Sequence, residues 1–498
     1  MSKAASAIIM LSLFCICERA YATRLSVNAD GVLLKDGHKY RAFGVNDYYV
    51  FLAHLLHPTV RDYEQRFADL SDHGIPFVRF NVSGWSPYDF SLYVTNKDTF
   101  FSRLDDVVRC AEQEGIGLIP SLNWSYWTIP DTVHEHISAY GDSNSETIAF
   151  LRQYVRDIVT RYKNSPAIWA WEFGNEYNLP ADLSCLSNWQ DVLPPTHTSL
   201  GMPATRTIED IPSTADLLVA FQAFESVVHE IDPLALITTG NSIPRTFAED
   251  LRAGNAWGNL DTIEDYRANL LLTNPTGYEL VSIHLYPLEV QAPVYRFESG
   301  HLTTYDEIAS VTINTCRNAG KALFIGEYGA APEDIAEGTA EAAAEHLNAM
   351  LDAFTTRKVS LAAYWVYGWY AGDPNPEQAN RIATFENERS WILDRIAAEN
   401  REIRKDTDFD GLRDIDEDAN ENDLVDPGET APNNPDTDGD GVSDGTEVMV
   451  GSDPLDPEDT PQLPGVGMRG LAALTLILAG IYLGQQEVFA RGTKGNTG

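Results

Sequence analysis

Between residues 40 and 400, short apolar runs of strand length alternate with longer segments whose apolar residues recur at helical spacing. The runs Tyr40–Val45, Phe77–Phe80, Gly117–Leu122, Ala167–Phe173, Ala235–Thr239, Leu280–His284, Ala322–Gly326 and Leu361–Trp365 predict strands. Helices are expected near 61–73, 98–114, 144–163, 214–230, 261–270, 303–319, 338–356 and 386–400. The segment at 338–356, rich in Ala, Glu and Leu, carries the clearest helical signal, and 261–270 the weakest. Ahead of them, Leu25–Leu34 and Lys39–Phe43 alternate around Asp36-Gly37, the pattern of a hairpin placed to plug one end of a barrel. Eight strands each followed by a helix is the count of an α/β (β/α)8 TIM barrel, here assigned to residues 23–404.

Polar chemistry clusters where the predicted strands end. Trp169-Ala170-Trp171-Glu172-Phe173-Gly174-Asn175-Glu176 breaks from an apolar run into an Asn-Glu pair, and Ala322-Leu323-Phe324-Ile325-Gly326-Glu327-Tyr328-Gly329 closes a second run on a Glu. In such barrels the C-terminal strand ends hold the chemistry. Two carboxylates at strand mouths are what retaining glycoside hydrolysis needs: one protonates the leaving oxygen and the other attacks the anomeric carbon. Arg79 closes the second strand, Asn123-Trp124 the third, His284 and Tyr286 the sixth, and Trp365 the eighth. Singly, an Arg, His or Trp at such a place is more often structural. Here all share the strand end that carries both Glu.

These motifs resemble glycoside hydrolase family 5 and its clan of barrel enzymes over roughly residues 40–370. The resemblance implies Glu176, of the Asn-Glu motif after strand four, as acid/base, and Glu327, ending strand seven, as nucleophile. It places Arg79 and Tyr286 beside Glu327, Asn175 at the sugar 2-hydroxyl, His284 near the acid/base and Trp365 under the sugar at the cut. A nucleophilic carboxylate must stay ionised, which a neighbouring Arg or Tyr hydroxyl favours, whereas the acid needs a less polar setting. Asn123-Trp124 is similar to the β-mannanase branch, while Val78-Arg79-Phe80 is closer to cellulases, so β-mannan and β-glucan both stand as substrates. The long segment Leu179 to Pro212, with Trp189, Pro194, Pro195, His197 and Pro203, is expected to wall the cleft. Trp85, Tyr126, Trp127, Trp257 and Trp369 are further candidates for stacking on sugars, with core or loop packing as the bland alternative for each.

The ends change the picture. Lys3, the apolar stretch Ala7 to Cys17 and Ala20-Tyr21-Ala22 read as a secretory signal over 1–22, and so predict export. Gly470 to Gln486 carries no charge, follows Pro461 and Pro464 and precedes Arg491 and Lys494. It is taken as a transmembrane or sorting helix within 466–486, making the protein surface- or membrane-anchored, or released after processing. Cys110, Cys185 and Cys316 remain after the signal; they permit one disulfide but are better read as ordinary thiols without zinc spacing. A formal charge of −39 excludes a nucleic-acid partner.

About half of that charge lies in Asp406–Asp459, where 20 Asp or Glu stand against the single Arg413. A solvated spacer is the usual reading of such a run, but the spacing is regular. Asp406, Asp408, Asp410, Gly411, Asp414 and Glu417 occupy positions 1, 3, 5, 6, 9 and 12 of a calcium loop. Asp436, Asp438, Asp440, Gly441, Asp444 and Glu447 repeat that register. A third copy, Asp418, Asn420, Asn422, Asp426 and Glu429, has Asp423 where the turn wants Gly. Helices flanking these loops are missing, and the segment, 405–460, is similar to thrombospondin type 3 repeats, which implies structural Ca2+ in a stiffened linker.

The reading is an exported, tethered, retaining endo-acting glycoside hydrolase on β-1,4-linked polysaccharide, with no cofactor for catalysis. An exo-acting β-glycosidase and a non-catalytic carbohydrate-binding surface protein on the same barrel are the alternatives.

Overall fold

The computed structural model describes residues 24–460, except 257, 288–294, 296, 299–301, 373–377, 419–421 and 423. The expected signal (1–22) and C-terminal helix (466–486) lie outside the described residues, among which no helix is long and apolar enough to cross a membrane. Contacts divide the chain into two units. One comprises Pro76–Leu393 with the chain up to Ser71, the other Asp72–Ile75 with the chain from Asp394 onward. The division falls inside the helix Ser390–Ile403.

In the first unit, β1 (Leu25–Val27), β2 (Leu33–Lys35) and β3 (His38–Lys39) form a small antiparallel sheet. The turn between β2 and β3 uses Asp36 and Gly37, both at positive φ, as a tight hairpin requires. Then follow β4 (Ala42–Asn46), β5 (Phe77–Asn81), β6 (Gly117–Asn123), β7 (Trp171–Gly174), β8 (Ile237–Thr238), β9 (Leu280–Leu285), β10 (Ala322–Tyr328) and β11 (Leu361–Tyr364). All pair in parallel and in chain order, and β11 closes on β4 to complete the barrel. Every residue of these eight strands is buried, which is why they read as continuous apolar runs rather than alternating ones.

The helices expected between strands are present. Asp62–Asp72, Lys97–Glu114, Glu146–Tyr162, Thr214–Ile231, Ile263–Leu272, Tyr305–Asn318, Ala340–Thr356 and Ser390–Ile403 follow the eight barrel strands in turn along the chain. Their starts are written in capping residues. Asn96 and Ser145 accept from Thr99 and Ile148 backbone amides, and Ser213, Thr262 and Thr304 form capping boxes with Asp216, Asp265 and Glu307.

One end of the barrel is sealed. Leu25 and Leu33 of the small sheet, with Tyr40, pack against Ala42, Phe77, Leu280, Ala322 and Leu361, the first residues of five strands. Trp169 belongs to this floor, edge-on to Tyr40 at 5.5 Å. That placement explains why β7 begins at Trp171 rather than at Ala167: the residues before it pack into the floor and make only an isolated bridge. With that end filled, the C-terminal strand ends are the open face. The three cysteines are free thiols, Cys110 and Cys316 buried and Cys185 half-buried.

Candidate active site and metal centres

Arg79, in β5, organises the open face. Its guanidinium is wholly buried, so each of its donors needs a partner. Nε donates to both oxygens of Glu172 in β7 (2.9 and 2.8 Å), and Nη2 lies 2.7 Å from Glu172 Oε1. Nη1 donates to Asn46 Oδ1 (2.9 Å) and to Glu327 Oε1 (2.8 Å), and Nη2 to Asn175 Oδ1 (2.7 Å). Burial alone would lower the Arg79 pKa; Glu172 and Glu327 outweigh it, and the net shift is upward. Asn46 is fixed in turn by donating to the carbonyls of Gly326 (2.9 Å) and Ala363 (3.1 Å).

Glu327, in β10, is thus held on one oxygen by Arg79. On the other it accepts from Tyr286 Oη at 2.7 Å. Burial, then the adjacent Glu327, push the Tyr286 hydroxyl well up, so it stays a donor. Glu176 follows β7 on a turn in the left-handed region, at φ +55, uncommon for a non-glycine residue. Its amide donates to the Gly240 carbonyl at 2.8 Å. Gly240 itself has φ +71, and a Cβ there would come 1.8 Å from the Gly174 carbonyl. Only glycine lets the two backbones approach this closely. Burial raises the Glu176 pKa, opposed by Arg79, a Ser242 hydrogen bond and Arg245.

His284 Nδ1 lies 3.0 Å from Glu176 Oε1 and 3.6 Å from Glu327 Oε2. Burial, despite Glu327, brings its pKa down to about 4, so the ring is neutral at ordinary pH. One oxygen of each Glu and a His284 ring nitrogen lie within 4.8 Å of one another. The two carboxylates thus face one another across a short gap, as a pair flanking one glycosidic bond must.

Above these groups opens a cleft of about 940 Å³ whose walls include Tyr48, Trp85, Trp124, Trp365, Trp369 and Tyr370, with Asn175, Glu176, Tyr286 and Glu327 at its base. Trp124 lies under the Arg79 guanidinium (4.8 Å) and stacks on Trp365 (5.9 Å). Trp365 Nε1 donates to Gln378 Oε1 at 2.9 Å, fixing the indole plane. A smaller lobe of about 260 Å³ continues past Glu176 along Tyr126, Trp127, Leu179, Leu183, Val192 and Arg245.

The structure therefore brings Arg79, Trp124, Asn175, Glu176, His284, Tyr286, Glu327 and Trp365 together. Asn123 is a correction. It is buried behind the wall, donates to Tyr140 Oη at 2.7 Å, and lines neither lobe. Successive strand side chains face opposite ways, so Asn123 and Trp124 cannot both reach the cleft. Of the stacking candidates, Trp85, Tyr126, Trp127 and Trp369 line a lobe, and Trp257 lies outside the described residues. The segment after Leu179 contributes Leu183 and Val192 to the wall; its Trp189 packs instead on a small apolar cluster with Leu183, Leu186, Ile211 and Leu251. That segment is anchored by Arg206, which donates to both oxygens of buried Asp131 (2.8 and 2.7 Å).

Glu172, Asn46, Tyr48 and Arg245 were not singled out in the sequence. For Glu172 a signal existed. It is a carboxylate inside an otherwise apolar strand, and a buried charge demands a partner.

The family model described as Cellulase (glycosyl hydrolase family 5) matches residues 38–370. The chain belongs to glycosyl hydrolase family 5. It is accordingly an O-glycosyl hydrolase. Among curated relatives of this family 5 chain, the probable mannan endo-1,4-beta-mannosidase A of Aspergillus flavus is 25% identical over 363 residues, spanning 68% of this chain and 80% of the relative. Among solved structures, the endo-1,4-beta-mannanase from Rhizomucor miehei aligns with TM-score 0.53 at 16% identity, over 76% of this chain and 99% of its own. The hyperthermostable endo-1,4-beta-D-mannanase from Thermotoga petrophila gives 0.51 at 15% identity, over 72% and 99%. Those two likenesses show the shared barrel. A second model, Bacterial TSP3 repeat, matches residues 436–457.

In the second unit, two acidic loops have the same internal bonding. Asp406 accepts from the amides of Phe409 and Gly411 (2.7 and 3.2 Å), and Asp436 from those of Gly439 and Gly441 (2.9 and 3.0 Å). Gly411 and Gly441 sit at φ +104 and +92, which is the sharp turn that position six requires. Asp406, Asp408 and Asp410 converge within 4.8 Å, as do Asp436, Asp438 and Asp440. Asp408 Oδ2, Glu417 Oε2, Asp438 Oδ2, Asp440 Oδ2 and Glu447 Oε2 are buried without a hydrogen-bond partner. Crowded, desolvated carboxylate oxygens of this kind fit a hard divalent cation. Asp414 and Asp444, expected as ligands, accept from the backbone and side chain of Thr407 and Thr437 and are the first residues of the short helices Asp414–Glu417 and Asp444–Val450.

The third copy differs. Asp418 accepts from the Asn422 amide (3.0 Å), Asn422 donates to Asp426 (2.7 Å), and Glu429 accepts from the Asp426 amide (2.9 Å). Among the described residues its carboxylates do not converge. Asn420 lies outside them.

Proposed function

We propose that this chain is an endo-acting β-1,4-mannanase that retains anomeric configuration. The observation that carries the reading is the pairing of Glu327, held by Arg79 and Tyr286, with Glu176 on the far side of a short gap at the base of an aromatic cleft. Glu327 attacks C1 while Glu176 protonates the departing oxygen. Water, deprotonated by Glu176, then displaces Glu327 from the glycosyl-enzyme. The raised proton affinity of Glu176 suits the acid role in the first step. Asn175, its oxygen held by Arg79, offers its amide N–H to the sugar 2-hydroxyl, and Trp365 supplies the floor. A cleft continuing on both sides of the pair favours internal cleavage of a polymer over removal of end units. Mannan as substrate is supported by the mannosidase relatives.

The two intact acidic loops hold Ca2+ through Asp406, Asp408, Asp410 and Glu417 and through Asp436, Asp438, Asp440 and Glu447, with charge neutralisation as the metal's contribution. The apolar stretch within 466–486 tethers an exported enzyme to its surface. Reducing-end release by the protein on mannan, glucomannan, cellulose, mixed-linkage glucan and xylan tests the reading, with Glu327→Gln alongside. Activity on mannan that vanishes in the variant supports it. Activity on cellulose alone, or none on any polymer, contradicts it.

A further inference from the structure

The two lobes of the cleft are chemically unequal. The larger touches both Glu176 and Glu327, whereas the smaller touches Glu176 without Glu327. On the mechanism proposed above, on which this inference rests, the departing sugar lies beside the acid and away from the nucleophile. The smaller lobe is where that sugar must sit. Its walls are aromatic and aliphatic, with Tyr126, Trp127, Leu183 and Val192, and Arg245 is the one basic side chain among its described lining residues.

Arg245 is built in from two sides. It follows β8 on the stretch that also gives Gly240 and Ser242 to Glu176. Asn178 locks that stretch to the Glu176 turn, donating to the Ser242 carbonyl (2.8 Å) and accepting from the Ser242 amide (2.9 Å). Arg245 Nε and Nη2 then donate to the Leu179 carbonyl (2.9 Å from Nε), where the long wall segment begins. Among the described residues, Nη1 makes no hydrogen bond and no carboxylate pairs with this guanidinium at salt-bridge distance. Two more donors of the same lobe, Ser125 Oγ and Trp127 Nε1, also lack a partner. A guanidinium with a spare donor in the same lobe as an indole suits the paired hydroxyls and the C–H face of a pyranose.

We propose that Arg245 is the specificity-determining residue of the leaving-group side, donating from Nη1 to ring hydroxyls of the sugar that departs, with Trp127 as its stacking partner. Arg245 also faces Glu176 together with Arg79, His284 and Glu327, and its positive charge favours the carboxylate form there. A neutral replacement therefore moves the alkaline limb of the pH–rate profile upward, and Lys holds it.

The test compares wild type, Arg245→Met, Arg245→Lys and Trp127→Phe on mannopentaose and on an aryl β-mannobioside whose small leaving group makes no sugar contacts on that side. For Arg245→Met, kcat/KM on mannopentaose falls roughly ten- to hundredfold, chiefly through KM, while the aryl substrate changes by no more than about twofold. Its products shift away from cuts that leave two sugars on the departing side. Lys restores part of the loss, and Trp127→Phe repeats the selective loss with no change in the pH limb. Equal losses on both substrates, or none on either, overturn the proposal. If Arg245→Met does not fold, Arg245→Lys and Trp127→Phe decide it by the same selectivity. A wild type that cuts cello-oligosaccharides instead sinks mannan as the substrate while leaving the Arg245 comparison to be read on those oligomers. A wild type that cuts neither overturns both.

Discussion

Glu172 offers the sharpest single test of how the site is held. Glu172→Gln keeps the size and one accepting oxygen, but turns an NH2 toward the Arg79 guanidinium. Arg79 loses a partner that it meets at 2.8 and 2.9 Å from Nε and at 2.7 Å from Nη2. Breaking a buried ion pair outright costs roughly 3–5 kcal/mol. Here Glu327 remains as a counter-charge at 2.8 Å, so the guanidinium is not left bare. The loss is then nearer that of one or two charge-assisted hydrogen bonds, about 2–3 kcal/mol. For a barrel of roughly 370 residues, whose unfolding entropy is about 0.8 kcal/mol/K, that lowers the melting temperature by roughly 3–4 °C. The guanidinium also loses the clamp opposite Glu327 and Asn175, and misplacement of that order costs about tenfold to hundredfold in kcat. Circular-dichroism melts and kcat on soluble mannan measure both effects. Wild-type melting together with wild-type kcat would refute the argument that Glu172 fixes Arg79. Lost stability with unchanged kcat would refute the positioning half.

Three further outcomes follow from the same geometry. Tyr286→Phe removes the 2.7 Å donor to Glu327 and should cut kcat roughly tenfold to hundredfold with little change in KM; an unaltered kcat would contradict the placement. Because burial raises the Glu176 pKa, its protonated form persists above the ordinary carboxylate range, so the alkaline limb of kcat/KM lies above pH 4.5 and disappears in Glu176→Gln, which still turns over an activated aryl glycoside. Chelation of Ca2+ leaves the crowded carboxylates of the second unit to repel one another, so EGTA should open residues 405–460 to proteolysis and leave mannan hydrolysis by the barrel unchanged; equal protease resistance with and without EGTA would count against the metal loops.

The barrel was legible because its strands are buried on both faces and stand out as short apolar runs between helical periodicities. The two Glu and Arg79 were legible because they interrupt those runs at one end. What escaped had no such contrast. Tyr49–Leu56 is a helix buried on nearly every side, so no polar face marks it. Asn46, one residue past the expected end of β4, gave no sign that it would stitch β10 and β11 to Arg79. Arg245 lies in a connecting stretch without periodicity, and only the fold brings it to Leu179 and Glu176. Asn123 was misplaced because adjacency in sequence was read as adjacency in the cleft, against the alternation of strand side chains. In the acidic segment the register identified the two converging loops, while the hydrogen bonds of Asp414 and Asp444 to Thr407 and Thr437 across each loop were not legible in it.

The central claim is that Glu327 and Glu176 cleave with retention. Proton NMR of the first sugars released from mannopentaose, recorded before mutarotation, tests it most directly. Retention gives the β anomer first, with the signal absent in Glu327→Gln. The α anomer appearing first would mean inversion, and would contradict the assignment of Glu327 as the attacking carboxylate.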